Sequence, residues 1–64
     1  MNAPAIPPRD QWVPYIFHRT IEGEPVFYVV DLPADAILAD HAECNPGTTR
    51  IDDAITGETL WRQQ

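Results

Sequence analysis

His41 and Cys44 stand three residues apart, the one spacing in this chain that sets two soft metal ligands or a thiol–imidazole pair side by side on a helix. A zinc site needs three or four such ligands, and His18, Asp31 or Asp40 would have to supply the rest. One HxxC pair without a second pair carries little weight, and His41 among apolar neighbours reads better as a hydrogen-bonded core or rim histidine. The nucleophile reading fails on charge. Asp40 and Glu43 flank the pair, and carboxylates raise a thiol pKa where a reactive cysteine needs it lowered. Cys44 is therefore expected to act as a small structural hydrophobe.

Two carboxylate pairs invite acid–base chemistry, Asp52–Asp53 and Glu22/Glu24. Adjacent residues on a strand point to opposite faces, so Asp52 and Asp53 cannot share a substrate. Glu22 and Glu24 flank a turn glycine and read as solvated charge. The sequence holds no glycine-rich phosphate loop, no GxSxG and no calcium loop. These residues predict a protein that is not an enzyme, with no catalytic residue, no metal and no cofactor.

Length and charge narrow the classes further. A chain of 64 residues makes one small domain that buries only about 60% of its unfolded surface, and such scaffolds often gain stability from a staple or a partner. One cysteine excludes an internal disulfide and fits a reducing compartment. Ten Asp and Glu against four Arg, with no Lys, give a net charge of −6. Arg9, Arg19, Arg50 and Arg62 are scattered, so no footprint for nucleic acid or an anionic membrane forms. Arg19 and Arg50 are expected to pair with Glu24 or Asp52 across strands. No stretch approaches the roughly 20 apolar residues of a membrane span. The N-terminus lacks the basic and apolar regions of a secretory signal, and the expected location is cytoplasmic.

The elements that must position these residues read as ββαββ. Residues 1–10 carry three of the seven prolines and predict a disordered tail. Its PAIP segment matches a PxxP ligand, but a frayed terminus is the better reading. The domain is placed at 11–64. Residues 12–20 and 25–31, rich in aromatic and β-branched side chains, predict an antiparallel hairpin about the turn Ile21–Glu24. Pro14 marks an edge or bulge. Residues 32–44 predict an amphipathic helix of about three turns, with Pro33 in its first turn and Ala34, Ile37, Leu38, His41, Ala42 and Cys44 on one face. Asn45 is expected in a left-handed cap, with Pro46-Gly47 central to a type II turn. A second hairpin follows, over residues 48–53 and 59–61, turning at Thr56-Gly57.

Asn45-Pro46-Gly47-Thr48, Arg50-Ile51-Asp52-Asp53, Thr56-Gly57 and Leu60-Trp61 together resemble a pattern in small uncharacterised proteins of bacteria and their phages. The resemblance spans the C-terminal third. It implies a cytosolic, prophage-linked protein and no activity.

The predicted fold class is thus α+β, an antiparallel sheet of up to four strands with one helix on one face. The predicted core is Phe17, Phe27, Val29, Ile37, Leu38, Ile51 and Leu60, with Trp61 partly buried. Both parities of the first hairpin are apolar, which leaves open the one that meets the helix. One helix covers one face, so the other is left as an apolar surface for a partner. The function this implies is a non-catalytic protein-interaction module or small homodimer, with Trp12, Tyr15, Tyr28 and Trp61 as aromatic anchors. The alternative is an acidic inhibitor or nucleic-acid mimic, phage-encoded, that occupies a basic protein surface.

Overall fold

The computed structural model describes residues 11–63. The elements are β1 (Trp12–Ile21), β2 (Glu24–Pro33), α1 (Leu38–Cys44), β3 (Thr48–Asp53) and β4 (Thr59–Arg62). The strands form one antiparallel sheet in the order β2-β1-β3-β4, with the single helix on one face. This is the expected α+β architecture. The predicted tail, 1–10, lies outside the described residues.

The parity left open is settled by burial. Tyr15 and Phe17 on β1, Leu32 on β2 and Ile51 on β3 are buried together with Ala42 of the helix. Val13, Tyr28, Val30, Leu38 and Trp61 pack around them. Tyr28 stacks on Phe17 with ring centroids 5.9 Å apart. The opposite parity therefore faces away from the helix. Phe27 and Val29, expected in the core, are 74% and 62% exposed. Their neighbours one residue along took the inner face, and a strand can bury only alternate residues beneath one helix.

The helix is shorter than its periodicity suggests. Trp12 and Val13 pair with Pro33 and Leu32, so β2 continues through residues expected to be helical. Ile37 is extended at the helix start, with no side-chain cap, and is 63% exposed rather than buried. Asp35 lies before the helix, and Asp40 is the acid of its first turn. Cys44 is exposed, not packed as a small hydrophobe. At the other end Asn45 has φ −122°, not the expected left-handed value. Its side chain closes the helix instead, Nδ2 donating to the His41 carbonyl at 2.7 Å. The positive φ falls on Gly47, at +87°, and the Thr48 N–H donates to the Asn45 carbonyl, as a type II turn requires.

Leu60, also expected in the core, is 44% exposed. Ile51 pairs with Trp61 while Asp52 pairs with Thr59, so Leu60 is the extra residue of a bulge and is turned outward. A second irregularity separates His18–Arg50 from Arg19–Thr48. Pro14, in a central strand, costs no ladder bond. Its N–H position faces the β3 side beyond the last paired residue, Asp53, where its carbonyl accepts from Ala54.

Candidate functional site

The face turned from the helix has an apolar half and a polar half. Alternation places Trp12, Ile16 and His18 of β1, Phe27 and Val29 of β2, and Arg50 and Asp52 of β3 upon it. Ile16 stands opposite Val29, and His18 opposite Phe27. The His18 ring tilts against Phe27 at 6.2 Å. Phe27, Val29 and Ile16 therefore form a contiguous apolar strip along the β1–β2 half.

The polar half centres on Asp52, a carboxylate that is nearly buried. Thr59 Oγ1 donates to its Oδ1 at 2.8 Å. His18 Nε2 lies 3.0 Å from Oδ2. Arg50 Nε lies 3.1 Å from Oδ1 and 3.2 Å from Oδ2. Burial alone would push the Asp52 pKa up. The hydrogen bonds from Thr59 and His18, with the charges of Arg50 and His18, outweigh it and hold the group below its ordinary 3.8. Arg50 Nη2 also approaches His18 Nε2, at 3.1 Å. That nitrogen serves one neighbour at a time: protonated it donates to Asp52, unprotonated it accepts from Arg50. The cluster ties β1, β3 and β4 together. No buried side-chain polar atom among the described residues lacks a partner.

The four predicted anchors do not share a surface. Tyr15 is 7% exposed and belongs to the core, so it is not available to a partner, and replacing it would test folding rather than binding. Tyr28 is half-buried on the helix side, its hydroxyl placed between Arg19 and Asn45. Trp61 is half-buried on that same side and forms one wall of an open groove of about 530 Å³, with Ala39, Ala42 and Glu43 across from it. Trp12, half-buried, is the one anchor on the uncovered face. Phe27 and Val29, expected in the core, are the exposed residues of this face, and the apolar character of both hairpin parities hides them in the sequence.

The other pairings divide. Arg50 meets Asp52 as expected, though along one strand rather than across two. Arg19 does not engage Glu24; its guanidinium donates to the Pro46 carbonyl at 2.7 Å. Asp52 and Asp53 do part to opposite sides, and Asp53 accepts the N–H groups of Ile55 and Thr56 at 2.7 and 3.0 Å. His41 is half-buried and Cys44 exposed. Among the described residues no three metal-ligating side chains gather, and no helix is long and apolar enough to cross a membrane. Compared with known proteins, the chain matches no family model, no curated protein and no solved structure.

Proposed function

We propose that this protein is a non-catalytic interaction module whose working surface is the uncovered face of its sheet. One observation carries the reading: Phe27 and Val29, side by side on β2, stand 74% and 62% exposed, with Ile16 beside them and no element laid across them among the described residues. Water-facing aromatic and branched aliphatic side chains in contact with one another are what binding surfaces are made of. Burying a side chain such as Phe27 contributes about 1.5–3 kcal/mol, which rewards association without being needed for the fold. The polar half supports the same reading. Its carboxylate is occupied by three internal partners, Thr59, His18 and Arg50, and so ties the strands together beside the strip rather than reaching for a substrate. The bacterial or phage setting suggested by the C-terminal pattern belongs to this proposal.

Native mass spectrometry of the protein taken from the cells that make it tests the reading against a Phe27→Ser/Val29→Thr variant. The wild type is expected to carry a bound protein chain, a copy of itself or another. The variant should lose it while keeping its circular dichroism, since exposed positions change stability by only about 0.5 kcal/mol. A bare monomer in both preparations would sink the proposal.

A further inference from the structure

The two edges of the sheet are built differently. β4 has four residues and a bulge against its neighbour. β2 has ten, paired with β1 from Glu24 to Pro33 without a register shift. Edge strands are commonly blunted by lysines, bulges or inward charges. This chain has no Lys, and the prolines of β2 stand near its two ends, at Pro25 and Pro33. Between them Val26-Phe27-Tyr28-Val29-Val30 carries no charge, and Asp31 is the single charged residue of the stretch.

The direction of the backbone groups follows from the turn. Glu22 and Gly23 both have positive φ, 52° and 80°, the signature of a two-residue hairpin loop that closes on a hydrogen-bonded pair, here Ile21 and Glu24. Alternation then aims the N–H and C=O of Val26, Tyr28 and Val30 at β1, and those of Phe27 and Val29 away from it. The far side of β1 agrees. The Pro14 carbonyl accepts from Ala54 at 3.0 Å and the Thr20 N–H donates to Gly47 at 2.9 Å, so the even residues of β1 bond toward β3 and the odd ones toward β2. Pro25 and Pro33 fall on the outward set, so they cost no bond to β1 but each removes a donor from the outer edge, which confines its outward N–H groups to Phe27, Val29 and Asp31.

We infer that this edge pairs with β2 of a second copy, antiparallel about a two-fold axis through Tyr28, joining two sheets into one. The inference rests on the proposed function and names its partner. Self-complementarity argues for a second copy over another chain. In this register Phe27 stands opposite Val29 of the other copy, Val26 opposite Val30, and Tyr28 opposite its own counterpart. Glu24 meets Leu32 and Asp31 meets Pro25, so no carboxylate faces another, although each chain carries −6. Phe27 and Val29 exchange N–H and C=O across the axis. Their side chains meet on the uncovered face, so one strip continues into the next.

Sedimentation of the full chain over a range of concentrations, with amide hydrogen exchange read residue by residue, tests this. A species of twice the 7.2 kDa chain mass is expected, with the Phe27 and Val29 amides slowing as it forms. Val29→Pro removes an outward donor and no internal bond, and should weaken the dimer about tenfold or more. Phe27→Thr keeps the backbone edge and should weaken it less. The wild-type exchange stands as a test even if Val29→Pro does not fold. A dimer whose Phe27 and Val29 amides stay fast would overturn edge pairing in favour of face-to-face contact. A monomer with fast amides would overturn the second copy as partner, while the proposed function would still answer to its own measurement. A monomer whose two amides are already slow would put another segment of the same chain on the edge, and overturn the dimer equally.

Discussion

At the scale of single residues, Asp52 shows how a small domain keeps a carboxylate out of water. Desolvation opposes its charge, and the Thr59 hydroxyl, the His18 ring and the Arg50 guanidinium more than restore it. Its pKa is lower folded than unfolded. The stability this contributes is therefore present above the ordinary aspartate value of 3.8 and is lost as pH falls through the lower folded value. Asp52→Asn keeps the shape, leaves Arg50 without its carboxylate, and should cost about 1–3 kcal/mol at neutral pH. Urea unfolding of both proteins from pH 7 down to pH 2 is the check. The gap between them should hold down to about pH 4 and close below it. A gap that is the same at both ends would mean that the Asp52 charge does not support the fold.

At the scale of elements, the turns carry the most specific demands. Gly23 and Gly47 share a positive φ, 80° and 87°, but not surroundings. A Cβ on Gly23 would meet open space, whereas one on Gly47 would run into the Thr20 carbonyl, because the Thr20 N–H bonds the Gly47 carbonyl and draws the loop onto β1. Gly23→Ala should cost about 1 kcal/mol, the conformational penalty alone. Gly47→Ala pays that and the collision, and should cost at least about 2 kcal/mol. Thermal melts of the two variants decide it, and equal losses would mean that the loop does not sit against β1. These turns were legible in the sequence because Glu-Gly, Pro-Gly and Thr-Gly state local geometry in the residues themselves. The four strands and their order with the helix were legible for the same reason. Which face of the hairpin lies inside was harder, since Tyr15 and Phe17 compete with Ile16, and Tyr28 and Val30 with Phe27 and Val29. The deciding hint was spread thinly: His18, Thr20, Asp31, Arg50 and Asp52 share the outer face once the strands are paired. No single strand shows it, and Arg19 contradicts it from the end of the inner face. The His18–Asp52–Arg50 cluster was hidden likewise, because its members meet only through the pairing of β1 with β3. The start of the helix was misplaced because residues 32 and 33 obey two patterns, and the ladder to Trp12 and Val13 outweighed the helical one.

At the scale of the whole molecule, charge separates the two partner readings that the sequence allowed. An acidic mimic binds a basic surface by attraction, and added salt weakens it. Two copies of a chain with net charge −6 repel each other, and salt screens that repulsion. The placement of the acids favours the second case. Asp52 and Asp53 are occupied by internal hydrogen bonds, Asp40 and Glu43 belong to the helix, Asp31 lies on β2, Asp35 precedes the helix, and Glu22, Glu24 and Glu58 sit at or beside the loops, so among the described residues no one face presents a row of carboxylates. The dimer dissociation constant measured by sedimentation should therefore fall, or hold steady, between about 0.05 M and 0.5 M salt, as the screening length shrinks from roughly 14 Å to about 4 Å. A constant that rises several-fold would mean that attraction between unlike charges holds the copies together. Among the described residues Arg62, on the edge strand β4, is the arginine placed to supply it, since Arg50 is bound to Asp52. The contact would then lie at the opposite edge of the sheet from Phe27 and Val29. The sign of the salt dependence thus reports which edge of this molecule meets its neighbour.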